Sequence, residues 1–361
     1  MGFLSSSYRD FRNLKDTEVD LGAPEVFLVG ENGQGKTNFI ESLYLLCFGS
    51  SFRTKRDALL IRNGGESALV RGRLEIEQST TRHVAVSLER DGRKEIRVDG
   101  RTVRDRSELI ENAPCIIFSH QDLEFVSGPP EMGRRFFNQT QSLFDPLFID
   151  LLRSYRKVLR SRNILLKERN VQLLDAFDTN LAEIGHRIQS RREAIIEEFN
   201  PSYEPLFTRI SGSPGTTKIT YQPSWKRGIG VAEIKEHLAR TRSRDLGFET
   251  TTSGPHRDRF VVTRDGNEFA LLASTGQIRL ASLVLRVAQA NFVAAKTGRR
   301  PILLLDDVLL ELDSSKRDRF LEALPPYDQA FFTFLPDEQF LGYRGANTRI
   351  YRVARGELIR S

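Results

Sequence analysis

The sequence predicts an α/β fold in which a core of buried strands is interrupted by a lobe of α-helices. Three observations predict it. The apolar run EVFLV at 25–29 enters a glycine-rich loop, and the segment that leaves this loop at 36–48 has apolar residues at helical spacing. From 69 to 103 apolar and polar residues alternate, as in an antiparallel sheet with one exposed face. Two long amphipathic segments, 147–166 and 176–199, have the period of α-helices.

These patterns divide the chain into three regions. We expect residues 1–130 to form the N-terminal part of the core, residues 131–245 the inserted helical lobe, and residues 246–361 the C-terminal part of the core. Four prolines between 201 and 223 are expected to end the helices. The apolar runs PCIIFS, PILLLDD and QAFFTF are predicted to be buried strands of the core.

The composition is that of an ordinary soluble protein. Of 361 residues, 39% are hydrophobic and 28% charged, and the net charge of +6 favours either a polyanionic partner or simple solubility. Both cysteines lie in apolar stretches and are expected to be reduced. The five histidines lack metal-site spacing, so no metal site built on histidine is expected. With neither a signal peptide nor a long apolar run, the sequence predicts a cytoplasmic protein without a membrane partner.

The glycine-rich loop GENGQGKTN at 30–38 matches the P-loop pattern G-x-x-x-x-G-K-[ST]. In such a loop, backbone N–H groups and the start of the next helix surround the phosphates of a nucleotide. We therefore expect ATP and Mg²⁺ as cofactors. The expected ATP-binding residues are Gly30, Glu31, Asn32, Gly33, Gln34, Gly35, Lys36, Thr37 and Asn38.

A P-loop needs a carboxylate at the end of a buried strand to hold magnesium beside the hydroxyl of the loop, and PILLLDD supplies two. Asp306 is the predicted metal-side carboxylate, acting with Thr37. Asp307 is the predicted catalytic residue that orients or deprotonates the attacking water. The alternative for two acids after an apolar strand is a helix-capping turn.

The tetrad Ser274, Thr275, Gly276 and Gln277 precedes a long predicted helix and lies upstream of the acidic strand, where ABC-type ATPases carry L-S-G-G-Q. Such a helix start offers N–H groups and a hydroxyl to an anion, here the ATP of a partner chain. The alternative is an ordinary helix N-cap. Asp313, in the run ELD at 311–313, fits the D-loop of the same class, and Gln121 is a candidate sensor of magnesium and water.

Together these motifs make the chain resemble the RecF family of bacterial recombination mediators. The resemblance rests on the N-terminal stretch through the P-loop, on FSHQDLEFVSGPPEMGRRFFN, SGPHRD, STGQ and PILLLDDVLLELD, in this order and across almost the whole chain. It implies an ABC-type, SMC-like P-loop ATPase head with an antiparallel β subdomain and an inserted helical lobe, but without the long coiled coil. It also implies an ATP-dependent homodimer that binds double-stranded DNA near junctions with single strands. Such a protein works with RecR and RecO to help load RecA.

The chain departs from the common ABC pattern at three points. Asp307 stands where many such ATPases have Glu, Ala273 occupies the signature Leu position, and no His follows the run at 329–334. These departures predict slow hydrolysis that is stimulated by DNA.

The expected DNA contacts are Arg53, Lys55 and Arg56 in SSFRTKRD, for which the alternative is a solvated basic face. No base-reading motif is recognisable, so contacts to phosphates are expected. Two other readings stay open. One is the ATPase subunit of a membrane transporter, which usually has a shorter spacing between P-loop and signature. The other is a non-catalytic clamp in which ATP acts only as a dimerising ligand.

Overall fold

In a computed structural model of the chain, the described residues are 1–76, 80–104, 107–213, 215–309, 312–337, 342 and 345–361. They form two compact units, one of Met1–Asp122 with Gln289–Ser361, the other of Leu123–Ala288. The chain thus leaves the first unit after Asp122 and re-enters it at Gln289, whereas the patterns of the sequence place the boundaries at 130 and 245. Residues 246–288 belong to the second unit.

The first unit contains a mostly parallel sheet whose inner strands are buried. Its strands are β3 (Glu25–Val29), β8 (Cys115–Phe118), β12 (Ile302–Leu305), β13 (Gln329–Phe334), β14 (Thr348–Ala354) and β15 (Glu357–Arg360). Their order in the sheet is β15-β14-β3-β13-β12-β8, with β15 alone antiparallel to its neighbour. The helices are α1 (Lys36–Phe48), α2 (Ser107–Asn112), the last part of α9 (Thr275–Thr297) and α10 (Ser314–Ala323). Because β3, β8, β12 and β13 are parallel, the segments that follow them emerge at one edge of the sheet.

The second sheet of this unit is antiparallel. Its strands are β1 (Gly2–Arg9), β2 (Glu18–Asp20), β4 (Ser67–Glu75), β5 (Thr81–Glu89), β6 (Lys94–Val98) and β7 (Arg101–Thr102). Their order is β2-β1-β4-β5-β6-β7. In β4, Val70 and Leu74 are buried while Arg71 and Arg73 are exposed, so one face is covered and the other is wet. The predicted antiparallel sheet at 69–103 is confirmed, and β1 and β2 extend it.

The second unit is mainly helical. Its helices are α3 (Glu124–Ser127), α4 (Pro130–Ser142), α5 (Leu147–Lys167), α6 (Leu174–Ser211), α7 (Val231–Phe248), α8 (Phe269–Leu272) and the first part of α9 (Thr275–Thr297). A small antiparallel sheet has the order β11-β10-β9, with β9 (Thr217–Gln222), β10 (Arg259–Arg264) and β11 (Asn267–Glu268). Trp225 is buried in a core between α5, α6 and α7 with Tyr155, Leu181 and Leu238.

The expectation that the prolines end the second long helix at about residue 200 is wrong. Helix α6 contains Pro201 and Pro205 and runs on to Ser211. Proline inside a helix removes one backbone hydrogen bond and crowds the preceding turn. The apolar stripe nevertheless continues through Phe199, Tyr203 and Phe207, all buried, so packing of this face outweighs the local cost.

Helix α9 is long and apolar enough to cross a membrane when only length and composition are considered. In the structure, however, 72% of its most apolar 18-residue window is buried inside the protein. A buried core helix passes the same test, and no other helix among the described residues does.

Both cysteines, Cys47 and Cys115, are buried, and neither forms a disulfide bond.

Candidate nucleotide-binding site

The glycine-rich loop connects β3 to α1 and needs glycine at particular points. A Cβ atom at Gly30 would lie 2.3 Å from the carbonyl oxygen of Val353. Gly33 and Gly35 have φ of 76° and 118°, a region that residues with a Cβ rarely adopt. Gly30 N–H donates to the carbonyl of Phe334 at 3.1 Å, which ties the start of the loop to the end of β13.

Lys36, the first residue of α1, is only 4% exposed. Its Nζ donates to the carbonyl oxygens of Gly30 at 2.6 Å and Glu31 at 3.2 Å, so the ammonium lies inside the loop. The start of α1 has neither a side-chain cap nor an acidic residue in its first turn. Free N–H groups, the helix dipole and a buried ammonium at one place fit the phosphates of a nucleotide.

The end of β12 brings a carboxylate to this loop. Thr37 Oγ1 donates to Asp306 Oδ1 at 3.0 Å, although 269 residues separate them in the chain. Asp306 N–H donates to the carbonyl of Phe118 at 3.0 Å, so the ladder with β8 places this residue. Burial, together with the nearby charge of Asp307, raises the pKa of Asp306 to about 7.

This pair of groups fits a magnesium ion bound with a nucleotide. A hydroxyl and a carboxylate already in contact are hard oxygen ligands, and a cation beside Asp306 would relieve the cost of its buried charge. In the described part of the chain, no three His, Cys, Asp or Glu residues cluster so as to hold a metal alone. The remaining ligands would therefore be phosphate oxygens and water, as Mg²⁺ commonly has at nucleotide sites.

Asp307 follows in the left-handed region, with φ of 55°. Its N–H donates to Thr333 Oγ1 at 2.7 Å, and the same hydroxyl donates to Asp307 Oδ1 at 2.8 Å. The two neighbouring acids are thus attached to different strands, Asp306 to β8 and Asp307 to β13. One carboxylate contacts the P-loop hydroxyl and the other is held apart from it, which suits two separate roles.

The loop is also held from its outer side by residues that the sequence did not indicate. Gly356 N–H donates to Gln34 O at 2.8 Å and Arg355 N–H to Gln34 Oε1 at 2.7 Å. These two residues form the turn between β14 and β15, and both have positive φ. Asn13 donates to Gly33 O at 3.3 Å and accepts from Asn38 Nδ2 at 2.7 Å. Asn13 lies in the N-terminal stretch on which the resemblance rests, but no pattern there or in the 355–356 turn indicates a contact with the P-loop, so only the fold brings them to it.

Arg53, a predicted DNA contact, also lies at this loop. Its guanidinium donates to Asn38 Oδ1 at 2.8 Å and lies 3.4 Å from the carboxylate of Glu41, which is fully buried in α1. Arg12 makes two hydrogen bonds of 3.0 Å to the same carboxylate. Lys55 and Arg56 are exposed. Arg53 is therefore coupled to a P-loop residue, and the role of Arg53, Lys55 and Arg56 in DNA contact stays a prediction.

The signature tetrad forms the start of α9 and is exposed throughout. Gln277 N–H donates to Ser274 Oγ at 3.3 Å, and Ser274 N–H donates to Gln277 Oε1 at 2.9 Å, which makes a capping box. Leu271 and Leu272, just before the tetrad, are 78% and 73% exposed. The N-cap alternative thus describes the geometry of the isolated chain. It does not exclude anion binding, because the Ser274 hydroxyl keeps its own proton to donate.

The other two predicted site residues are also exposed. Gln121 lies in a short 3-10 turn, His120–Leu123, that follows β8. Asp313 caps α10, accepting from Lys316 N–H at 2.9 Å and pairing with Lys316 Nζ at 2.6 Å, and these contacts lower its pKa. Glu311, in the same predicted D-loop, lies outside the described residues. The roles of Gln121 and Asp313 stay predictions.

Comparisons with known proteins identify the family of the chain. The profile of the RecF/RecN/SMC N-terminal domain family matches residues 6–356. The DNA replication and repair protein RecF of Treponema pallidum is 43% identical over 347 residues, covering 96% of this chain and 98% of that protein. That of Leptospira interrogans serovar copenhageni is 30% identical over 356 residues, covering 97% of each.

Two solved structures give the same result for the fold. A structure of the recombination mediator protein RecF with ATP in the RecFOR pathway superposes with a TM-score of 0.91 at 27% identity, over 100% of this chain and 97% of that one. An Smc head domain from Pyrococcus furiosus superposes with a TM-score of 0.59 at 14% identity, over 100% of this chain and 96% of that one, which shows a shared fold alone. The predicted ABC-type, SMC-like ATPase head with an antiparallel β part and a helical lobe is confirmed, and the chain belongs to the RecF family.

Proposed function

We propose that this chain is an ATP-dependent, DNA-binding recombination mediator that acts in gap repair and replication restart. The RecF relatives are named as DNA replication and repair proteins, and the RecF–ATP structure is assigned to the RecFOR pathway. By this proposal ATP and Mg²⁺ are the cofactors, and double-stranded DNA near single-strand junctions is the target. RecR and RecO are the partners in helping to load RecA, in the cytoplasm and without a membrane.

The observation that carries the proposal is the exposed start of α9. Ser274, Thr275 and Gly276 present a hydroxyl and helix N–H groups to solvent, with two exposed leucines beside them. In the ABC class such a helix start covers the ATP held by the P-loop of a second copy. Since a two-fold interface uses each surface twice, two ATP molecules would join two copies of the chain.

Hydrolysis in this dimer falls to the two acids after β12. Asp306 and Thr37 would hold the magnesium ion, which neutralises phosphate charge when bound. Asp307 orients a water molecule and accepts its proton as the water oxygen bonds to the γ-phosphorus and the bond to the β–γ bridging oxygen breaks. The carboxylate of Asp307 is held by Thr333 rather than by a mobile switch, and slow turnover fits that arrangement.

DNA binding is proposed for the basic segment after α1. Lys55 and Arg56 are exposed, and Arg53 in the same segment donates to Asn38 of the P-loop. Phosphates bound by this segment would therefore act on a residue that already contacts the nucleotide site. That connection supports hydrolysis that responds to DNA.

The transporter alternative finds no support in these relatives, which are RecF proteins and Smc heads. The clamp alternative differs from the proposal only in that the bound ATP is not hydrolysed. It predicts that Asp307→Asn leaves the lifetime of the ATP-bound dimer unchanged, whereas a working ATPase predicts that this variant prolongs it.

The test of the proposal is the oligomeric state with ATP, with ADP and without nucleotide, each with and without gapped DNA. Sedimentation velocity on the full chain distinguishes monomer from dimer in all six conditions. We expect a dimer with ATP alone, stabilised by gapped DNA, and a monomer with ADP. A monomer in every condition, or a dimer indifferent to nucleotide, would contradict the proposal.

A further inference from the structure

We infer that Thr333 is a positioning residue for the carboxylate that activates water, and that its hydroxyl sets the turnover rate without contributing to ATP binding. The inference rests on the proposed hydrolysis. It assigns a role to a side chain for which neither a motif nor the resemblance supplies one.

The first support is the double contact between Thr333 and Asp307. The Thr333 hydroxyl accepts the backbone N–H of Asp307 at 2.7 Å and donates its proton to Oδ1 of the same residue at 2.8 Å. One hydroxyl therefore restrains both the backbone and the side chain of Asp307. Among the residues that the structure describes, no hydrogen bond to Oδ2 of Asp307 is found, and the residue is half-buried.

The second support is the conformation of Asp307. Its φ of 55° lies in the left-handed region, which Asp enters more readily than most residues with a Cβ atom, and the contact with Thr333 stabilises it there. The neighbouring Asp306 continues the regular ladder by donating to Phe118 of β8. At Asp307 the N–H is received by a side chain of β13 instead. The Thr333 hydroxyl thus binds the backbone where β12 ends and where the side chain of Asp307 diverges from that of Asp306.

The third support is the place of Thr333 in the sheet. It is 3% exposed and pairs with Leu28 of β3, the strand that leads into the P-loop. The next residue, Phe334, accepts the N–H of Gly30 through its carbonyl. One short stretch of β13 thus contacts both the start of the phosphate loop and Asp307, and it fixes the position of one relative to the other.

Thr333 lies inside the strand after which other ABC-type enzymes carry a switch histidine, and no His follows it here. A buried hydroxyl cannot change its charge and cannot leave its site easily. The contact that orients the carboxylate therefore does not depend on a change of charge.

The test compares Thr333→Val, which removes the hydroxyl at nearly constant volume, with Thr333→Ser, which keeps it. With Thr333→Val we expect kcat to fall about tenfold or more, because a misdirected catalytic group costs one to two orders of magnitude, while KM for ATP stays within about twofold. Thr333→Ser should restore kcat to within about threefold of the unmodified chain. ATP-dependent dimers of Thr333→Val should persist longer, since they hydrolyse ATP more slowly.

Thr217→Val is the matched control. Thr217 is 1% exposed on β9, and its hydroxyl has no hydrogen-bond partner among the described residues. The same substitution there should change neither kcat nor the dimer lifetime. Equal kcat for Thr333→Val and the unmodified chain would overturn the inference, as would equal losses in the Val and Ser variants. A rise in KM that matches the fall in kcat would show a structural role instead.

Hydrogen exchange of the Asp307 amide tests the contact without any turnover. Loss of its acceptor in Thr333→Val should speed exchange in the nucleotide-free protein, whereas Thr333→Ser should stay near the unmodified rate. Similar exchange in all three would overturn the inference. If the unmodified chain does not hydrolyse ATP at all, the proposed hydrolysis fails, and the exchange rates still decide whether Thr333 holds Asp307.

Discussion

Replacing Asp306 by Asn should stabilise the nucleotide-free protein at alkaline pH while abolishing magnesium-dependent hydrolysis. Asn has the same shape, and its side-chain oxygen still accepts from Thr37, which lies 3.0 Å away. The substitution removes a negative charge from a residue that is only 8% exposed. The same charge is what a magnesium ion requires, so stability and function should change in opposite directions.

The size of the effect follows from the pKa of Asp306. Burial and Asp307 raise it from 3.8 to about 7. Because the folded protein holds this proton more tightly than the unfolded chain, the stability it contributes is full below about pH 4 and is lost as the pH rises to about 7. A pKa difference of one is worth about 1.4 kcal/mol, so the ionised carboxylate costs about 4 kcal/mol of folding free energy at pH 8.

The assay is thermal and urea unfolding in EDTA without nucleotide, at several pH values from 5 to 8. The gain in stability of Asp306→Asn over the unmodified chain should grow with pH, to about 4 kcal/mol or less at pH 8, because real sites relax and admit water. In melting temperature this is about 2–3 °C per kcal/mol for a unit of roughly 200 residues.

The matched control is Asp318→Asn, at an exposed position of α10. It also removes one negative charge, yet its effect on the free energy of unfolding should be small because the side chain is exposed. A gain for Asp306→Asn that does not change between pH 5 and 8, or a loss at pH 8, would refute the reasoning about the buried charge. Magnesium-dependent hydrolysis that survives in Asp306→Asn would refute its role as a metal ligand.

Three further predictions test the nucleotide, dimer and DNA surfaces. Lys36→Met should abolish ATP binding, measured by equilibrium dialysis, because no ammonium then balances the β- and γ-phosphates; unchanged affinity would contradict the P-loop assignment. Ser274→Arg should bind ATP as a monomer but should neither dimerise nor hydrolyse ATP. Mixing it with Lys36→Met chains should restore part of the ATPase activity, because a mixed dimer has one intact composite site. Normal ATP-dependent dimerisation of Ser274→Arg would show that the tetrad is only a helix cap. Reversing Lys55 and Arg56 to Glu should weaken DNA binding and flatten its salt dependence by roughly two in slope, as loss of two phosphate contacts requires, with ATP affinity unchanged; loss of both affinities together would point to misfolding.

Local sequence patterns were sufficient to predict a structural element wherever the residues of one short segment determine its conformation. The P-loop is readable because glycine, lysine and threonine must stand at fixed positions around a phosphate, and positive φ at Gly33 and Gly35 bears out that need. Period-two alternation predicted β4 to β6, and continuous apolar runs predicted β12 and β13, since burial on one face or on both leaves a visible trace. The inserted helices were visible for the same reason, through their amphipathic period.

Contacts between segments that are distant in the chain produce no local sequence pattern and could not be predicted. No motif points from Thr333 to Asp307, or from the Arg355–Gly356 turn to the P-loop. They meet only because parallel pairing brings β13, β14 and β3 side by side. Helix α6 continued through Pro201 because the burial of Phe199 and Tyr203 outweighed a local rule. The sequence by itself determined which residues could bind a phosphate. Only the tertiary structure decided which side chains hold those residues in place, because that depends on strand register and packing across hundreds of residues.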